Sequence, residues 1–343
     1  MNRRPGIRQR GVAVVTALLL TTLAVAIVAS LFWQQQVQVR SMENQRLHFQ
    51  TRWILRGGLD LVRLVLRQDL VDSHGSTRAD GIWATPLAET RLDQFVERER
   101  IQNESFDATI AGQTYDAQSR YNLANLALNR YVLPGQVTVF QRLLQNLQLN
   151  PSLAQTVAEQ VARSQVASTT APPGTVPGQP PVPGGNGQPM ELVRVEDLLS
   201  ISGFNQAAIE KLRDFVIVLP EGSQVNVNTA PAEVLSALTD LSVSEAQSLV
   251  VSRKRSFYGR VDEFDNYLKA SGKQRVKNVE VAVLSNYFLV LSRVRLDRAE
   301  LVSWSTTMSI WPPIRSTSAG AEPLYGTWLS RIFAASSSCS SAM

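Results

Sequence analysis

Val12 to Trp33 form an unbroken run without a charged side chain. At 1.5 Å per residue, a helix of about twenty-two residues reaches roughly 33 Å, enough to cross the hydrocarbon core of a bilayer. The leader in front of it carries Arg3, Arg4, Arg8 and Arg10 and no acid, so the positive-inside rule keeps it on the cytoplasmic side. Everything beyond Arg40 then lies across the membrane, and roughly 250 residues suffice there for a globular part with its own core.

Three readings of this N-terminus compete. Ala24-Val25-Ala26 offers a small-residue site for a secretory signal peptidase, but the apolar run is longer than a signal-peptide core and continues through Ile27, Val28, Leu31 and Phe32. An unprocessed single-span anchor is the second reading. The third is a prepilin-type leader, cut between Gly11 and Val12 on the cytoplasmic face, with the whole apolar helix retained and Val12 N-methylated.

Gly11 followed by Val12-Ala13-Val14-Val15-Thr16-Ala17-Leu18-Leu19-Leu20 resembles that third class. One position departs from it: Thr16, the fifth residue after the cut, stands where most pilins and pseudopilins carry glutamate. That glutamate is understood to meet a neighbouring subunit's N-terminal amine in the lipid, where an unpaired carboxylate is costly. A non-acidic residue here is the mark of the minor pseudopilin K family of type II secretion, the general secretion pathway protein K family. Two further stretches resemble the same family. Asp116-Ala117-Gln118-Ser119-Arg120-Tyr121-Asn122-Leu123-Ala124-Asn125-Leu126 is similar to its Asp/Arg segment before Asn-Leu-x-Asn-Leu, with Ser119 where glycine is common. Val225-Asn226-Val227-Asn228-Thr229-Ala230-Pro231-Ala232-Glu233-Val234-Leu235 is similar to its most recognisable stretch. The resemblance runs from Gly11 to about Ile310.

Composition narrows the alternatives. The formal charge of +5 and the pI near 9.5 invite a nucleic-acid reading, but four of the basic residues sit in the leader. Cleavage after Gly11 would leave 5 − 4 = +1, which removes most of the case for a basic binding surface. Cys339 is the single cysteine, so neither an internal disulfide nor a multi-cysteine zinc site can form. His48 and His74 are the two histidines and give little material for a catalytic triad or a histidine metal site.

Hydrophobic period predicts the organisation. Leu47, Ile54 and Leu61 at heptad spacing, widened by Val62 and Val65, continue the helix as an amphipathic segment over residues 34–72. Gly57-Gly58 marks a bend or a close packing site. Residues 73–126 are expected to hold a loop from Asp72 to Thr85 and the first strands of a small sheet. In that sheet Phe106, Ala108 and Ile110 alternate, Ala111-Gly112 turns, and Thr114 to Ala117 return. Residues 127–284 read as a helical insertion interrupted by the Pro/Gly-rich loop 169–188, expected to be flexible. Over 285–311, Phe288, Val290, Ser292, Val294 and Leu296 line one face of a strand. After a turn at Asp297-Arg298-Ala299, Val302, Trp304, Thr306, Met308 and Ile310 line one face of its partner. Residues 312–343 read as a disordered tail. The fold class is α+β: the resemblance implies a pilin-like long N-terminal helix with a small antiparallel sheet, interrupted by a large inserted helical domain.

That insertion carries a rival reading. Asn228 to Leu235, Ala246 to Arg253 and Phe257 to Phe264 resemble tandem helix-hairpin-helix DNA-binding modules, with Thr229 as a helix N-cap, Pro231 early in the helix and Glu233 in its first turn. Such modules bind phosphate through a glycine-bearing hairpin. Here the hairpin is Leu241-Ser242-Val243-Ser244-Glu245, without glycine and with an acid. Leu199 to Phe204 is a second candidate with one glycine. The basic cluster Arg253, Lys254 and Arg255 fits a solvated helix end. A membrane-anchored periplasmic DNA-binding protein is therefore the alternative, and a protein-interaction scaffold the favoured reading.

No catalytic residues emerge. The pairs Asp262/Glu263 and Glu196/Asp197 are adjacent in sequence and diverge on a helix. No cofactor is expected; relatives in the family can bind calcium, yet no compact Asp-x-Asp-x-Asp loop is present. Asp116, Asn122 and Asn125 are oxygen-bearing candidates better suited to capping and turns. The resemblance implies a tip subunit of the type II secretion pseudopilus that primes its assembly and supports export of folded proteins across the outer membrane. It implies as partners the I and J minor pseudopilins, the major pseudopilin, the prepilin peptidase, the inner-membrane secretion platform and membrane lipid. It also implies an inner-membrane, single-pass location with a cytoplasmic N-terminus and a periplasmic globular part.

Overall fold

The computed structural model describes residues 10–92, 108–166, 171–183, 189–296 and 299–308. Leader residues 1–9, Phe106, residues 169–170 and 184–188 of the Pro/Gly loop, the Asp297-Arg298 turn, Ile310 and the 312–343 tail lie outside the described residues.

Helix α1 runs without interruption over Arg10–Asp72. Its upper part, from Val14 to Trp33, is exposed throughout; Val14, Leu20, Val25, Phe32 and Trp33 are all at least half exposed. Its lower part packs on the sheet through Thr51, Leu55, Leu66 and Asp69, with Ile54, Val62 and Val65 beside them. This face differs from the heptad stripe expected from sequence: Leu61 is 52% exposed. A strict seven-residue repeat drifts by about 20° per heptad on a straight α-helix. The buried face instead advances by fours and threes, and Val62 replaces Leu61 on it.

Strands β1 (Leu87–Arg91) and β2 (Ala108–Asp116) follow, after a loop whose 3-10 turn buries Trp83. The turn expected at Ala111-Gly112 does not occur, and β2 is one nine-residue strand. Gly112 is paired on both sides, with Leu87 and with Ser292. A Cβ there would lie 3.0 Å from the Leu291 carbonyl oxygen. The glycine therefore permits a close strand approach instead of a reversal.

The chain then leaves the sheet for the inserted domain, at the end of β2 and not at residue 127 as expected, because Tyr121, Leu123 and Leu126 are part of the insertion's core. In order come β3 (Tyr121–Asn122), β4 (Ala127–Leu128), β5 (Tyr131–Val132), α2 (Pro134–Asn146), α3 (Leu153–Ser164), α4 (Gln206–Leu212), β6 (Val216–Ile217) and β7 (Val225–Asn226). After them come α5 (Ala232–Leu238), α6 (Val243–Arg253), α7 (Val261–Ala270) and β8 (Val281–Ala282). The β3–β6 and β7–β8 pairs are parallel and tie distant segments together. One apolar core, including Tyr121, Phe140, Leu144, Leu212, Leu235 and Phe264, serves the whole insertion.

The loop expected to be flexible is, in its described part, laid against this domain. Pro172 is buried, and the Val182 N–H donates to the Arg130 carbonyl at 2.8 Å. Proline restricts the unfolded chain, so ordering such a segment costs less entropy than its irregular look implies.

Strands β9 (Tyr287–Leu296) and β10 (Ala299–Met308) complete the sheet in the order β1-β2-β9-β10, all antiparallel. The hairpin expected at this end is present in continuous register, from Ala299 opposite Leu296 to Met308 opposite Tyr287. Ile110 and Val294 meet Leu55, while Phe288 meets Leu66 and Trp83. The Trp83 and Phe288 rings are 5.1 Å apart, edge to face.

The two helix glycines have different roles. A Cβ on Gly58 would fall 2.7 Å from Ile110 Cδ1, whereas Gly57 has nothing within 4 Å. Gly57→Ala should therefore raise unfolding free energy by about 0.5–1 kcal/mol. Gly58→Leu should lower it by about 1–3 kcal/mol through overpacking. Denaturant unfolding of the full chain in detergent tests both signs.

Candidate functional site: an exposed apolar helix and a buried polar junction

Gly11 and Val12 fall in the first residues of α1, and Thr16 lies on its exposed apolar stretch. No acid occurs in the helix before Glu43. The other threonines of this stretch are satisfied by their own backbone: Thr21 donates to the Leu18 carbonyl at 2.9 Å, and Thr22 to those of Leu18 and Leu19 at 3.0 Å each. A helix that satisfies its own polar groups is compatible with hydrocarbon.

At the far end of the molecule, four separate segments converge on Asp116. This residue closes β2, is 4% exposed and caps the next turn by accepting the Gln118 N–H at 2.8 Å. Its other oxygen accepts from the Ser285 hydroxyl at 2.6 Å, the Asn226 amide at 3.2 Å and the Thr229 hydroxyl. The Asn226 amide also reaches the Thr77 carbonyl at 3.1 Å, and Thr77 Oγ1 accepts the Ser285 N–H at 3.0 Å. Gln118 adds a second tie: its amide nitrogen donates to the Gln224 carbonyl at 2.7 Å, and its oxygen accepts the N–H groups of Asn286 and Tyr287. The loop after α1, the exit from the sheet, the inserted domain and the return to the sheet are thus fastened at one buried point.

Burial pushes the Asp116 carboxyl above the ordinary aspartate range, and the donors from Ser285, Thr229, Gln118 and Asn226 oppose that shift. Asn122 and Asn125 perform a similar task nearby. Asn122 Oδ1 accepts the N–H groups of Ala124 and Leu219, each at 3.1 Å, and its amide donates to the Glu221 carbonyl at 2.7 Å. Asn125 meets Ser223 at two points, donating to its carbonyl at 2.7 Å and accepting its N–H at 2.8 Å. Capping and loop fastening therefore occupy the oxygens of all three calcium candidates. They face N–H and O–H donors, which is not the arrangement of a cation shell.

The hairpin between α5 and α6 is built differently from a phosphate site. Ser242 caps α6, and the Glu245 carboxylate accepts the Ser242 N–H at 2.7 Å in a reciprocal capping box. The Ser242 hydrogen bonds and Lys273 at 3.3 Å hold the Glu245 carboxyl down to about 2. This helix N-terminus already has its anion, supplied by the chain itself. Arg253 is buried and donates to the Val227 carbonyl at 2.6 Å, and burial lowers its pKa to about 10. It packs the domain, so the solvated helix end expected for the Arg253, Lys254 and Arg255 cluster holds only for the exposed Lys254 and Arg255. Thr229, expected to cap α5, instead donates to Asp116, and Pro231 occupies the N-cap position.

Gln118, Asn226, Thr77 and Ser285 were not singled out for a role from sequence. A signal existed in Val225-Asn226-Val227-Asn228, where alternation of apolar and amide side chains accompanies complete burial. A fully buried segment with an amide at every second position must find partners for those amides.

Comparison with known proteins agrees with this architecture. Two family models described as type II secretion system (T2SS), protein K, match residues 119–221 and 225–285. Type II secretion system protein K of Pseudomonas aeruginosa is 31% identical over 307 residues, covering 86% of this chain and 87% of that protein. The Pectobacterium carotovorum protein K is 25% identical over 85% of this chain and 90% of its own length. The GspK–GspI–GspJ crystal structure from enterotoxigenic Escherichia coli contains a chain with TM-score 0.55 and 18% identity, covering 79% of this chain and 95% of its own. A long helix laid on a four-stranded antiparallel sheet, with a helical domain inserted between its second and third strands, defines a pilin-like subunit with an added domain. The chain belongs to the type II secretion system protein K family.

The junction sets a test. Asp116→Asn turns an acceptor-only group into one that also donates, and should cost about 1–3 kcal/mol of stability. Because the native carboxyl holds its proton more tightly than the unfolded one, its contribution grows as pH falls through the raised native pKa and levels off below the unfolded value of about 3.9. The stability gap between the wild type and Asp116→Asn should widen from pH 7 toward pH 4 in thermal unfolding. A constant or narrowing gap contradicts this assignment.

Proposed function

We propose that this chain is a minor pseudopilin at the tip of the type II secretion pseudopilus, where it primes assembly and supports export of folded proteins across the outer membrane. The observation that carries the reading is the inserted domain from Ala117 to Ser285, seated on the sheet that α1 supports. Such bulk fits poorly between neighbours in a regular filament and is accommodated at an end.

The proposal includes anchoring in the inner membrane by the apolar part of α1, with the basic leader cytoplasmic and the folded part periplasmic. Prepilin peptidase cuts between Gly11 and Val12, and Val12 is N-methylated. With Thr16 at the glutamate position, this subunit offers no carboxylate to a neighbour's N-terminal amine. Its neighbours are the I and J minor pseudopilins, by analogy with the E. coli complex. The major pseudopilin and the inner-membrane platform complete the set, and no catalytic function is assigned.

Mass spectrometry of the membrane-extracted protein from its host tests the processing step, with a chain starting at N-methylated Val12 expected. Replacing Gly11 should leave the leader attached. Thr16→Glu should alter incorporation or tip placement, read by secretion and by recovery of minor-pseudopilin complexes. If both are unchanged, Thr16 has no role in placement.

A further inference from the structure

Beyond its membrane-length run, helix α1 has two apolar faces. One is the face already described, which Thr51, Leu55 and Leu66 bury against the sheet. The other holds Met42, Phe49, Trp53, Leu64 and Val71, each more than half exposed, with Trp53 at 69%. At about 100° per residue these five fall within roughly 60° of one another, on the side of the helix turned away from the sheet. Met42, Phe49, Trp53, Asp60, Leu64 and Val71 advance alternately by seven and four residues. An eleven-residue period drifts little on a straight α-helix, so the stripe stays in line for about 44 Å.

Arginines line one border of this stripe. By the same rotation, Arg52, Arg56, Arg63 and Arg67 share a sector about 60° wide next to the apolar one. Arg63 is engaged inside the chain, donating to Asp60 at 2.8 Å and to Thr307 Oγ1 at 3.0 Å. Asp60, the acid among the stripe positions, is thereby answered. The Arg56 guanidinium lies over the Trp53 ring, 6.0 Å from its centroid. Among the described residues no carboxylate pairs with Arg52, Arg56 or Arg67. These guanidinium groups border an apolar helix face without a counter-charge, and charges in that position select which helix can pack there.

We propose that this face of α1 docks an α-helix of a different anchored polypeptide, one with apolar side chains at the seven-and-four spacing and acidic ones along the border that meets the arginines. Such a helix follows the line of the stripe and brings carboxylates to Arg52, Arg56 and Arg67. A second copy of this chain does not. In a parallel pair the arginine border of one helix meets the opposite border of the other, which holds Gln50, Gly57, Leu61 and Gln68 and no acid over that length. Antiparallel pairing sets arginine border against arginine border, like charge against like. That the partner is anchored beside this chain rests on the membrane placement proposed above; the stripe and its charged border do not.

The test uses the full chain in detergent micelles and a capped synthetic helix with leucine at the seven-and-four spacing and glutamate along one border. Saturable binding is expected, weakening as salt rises. The same peptide with lysine for each glutamate should bind at least about tenfold more weakly. Trp53→Glu, at an exposed position, should weaken the glutamate peptide by a similar factor with unchanged thermal unfolding. Arg52→Glu combined with Arg67→Glu should reverse the preference in favour of the lysine peptide. Absence of binding, or equal binding of the two peptides, overturns the site. So does a photo-crosslink from benzoylphenylalanine, put in place of Trp53, to residues 93–107 or 309–343 of the same chain, because the occupant is then internal. A concentration-dependent dimer of the full chain that Trp53→Glu abolishes overturns the choice of partner. Anchoring is read separately, by mass spectrometry of the N-terminus, and its failure leaves the peptide result standing.

Discussion

The buried carboxylate of Asp116 is the constraint on which the rest of the molecule depends. A sheet whose central strands β2 and β9 are separated by a whole inserted domain must close a long loop before those strands can pair, and loop closure is opposed by chain entropy. The structure meets this cost where the insertion leaves and re-enters. Asp116, Asn226, Thr229 and Ser285 form one buried cluster, and Thr77 brings in the segment after α1. An apolar contact at this place would tolerate sliding, because burial is non-directional. A carboxylate surrounded by four donors does not, since each donor left unpaired would carry its full desolvation cost.

The same logic separates this helical insertion from the DNA-binding modules it resembles. In those modules the hairpin amides are left for a phosphate. In this chain the α6 amides are engaged by Ser242 and Glu245 and the buried guanidinium of Arg253 by the Val227 carbonyl. Two of the features that would attract a polyanion, the start of α6 and the Arg253 guanidinium, are thus spent on the domain's own structure. The module persists as packing, and its helices hold the β7–β8 seam against which Asn226 and Asn228 are set.

Much of the architecture was legible because it is periodic. The uncharged run after Gly11 and the β9–β10 hairpin show in spacing alone; of the lower helix only Ile54, Val62 and Val65 near the packed face were read, while Leu61 is exposed and Thr51, Leu55 and Leu66 carry the burial. Features set by neighbours distant in sequence were not legible. Gly112 reads as a turn until the Leu291 carbonyl is placed against it. Strand β1 has little apolar alternation of its own and exists because β2 offers it an edge. The junction was the least visible, because Asp116 meets partners 110 and 169 residues away. Asp116, Gln118, Asn226 and Thr229 were conspicuous only through family resemblance, which gave their positions without their reason, and Thr77 and Ser285 were not conspicuous at all.

The continuity of α1 has a mechanical meaning. Between Trp33, the last residue of the apolar run, and Thr51, the first residue buried against the sheet, α1 holds its backbone ladder unbroken. At 1.5 Å per residue that span is about 27 Å. The glycine pair that would be the natural place for a hinge lies beyond the span, and Gly58 is pressed against Ile110. The apolar end of α1 and the sheet are therefore joined by one helix with little scope for bending at these glycines. From the sheet the chain enters and leaves the inserted domain beside two ties, the Asp116 cluster and the Gln118 contacts, so helix, sheet and insertion are connected at short range.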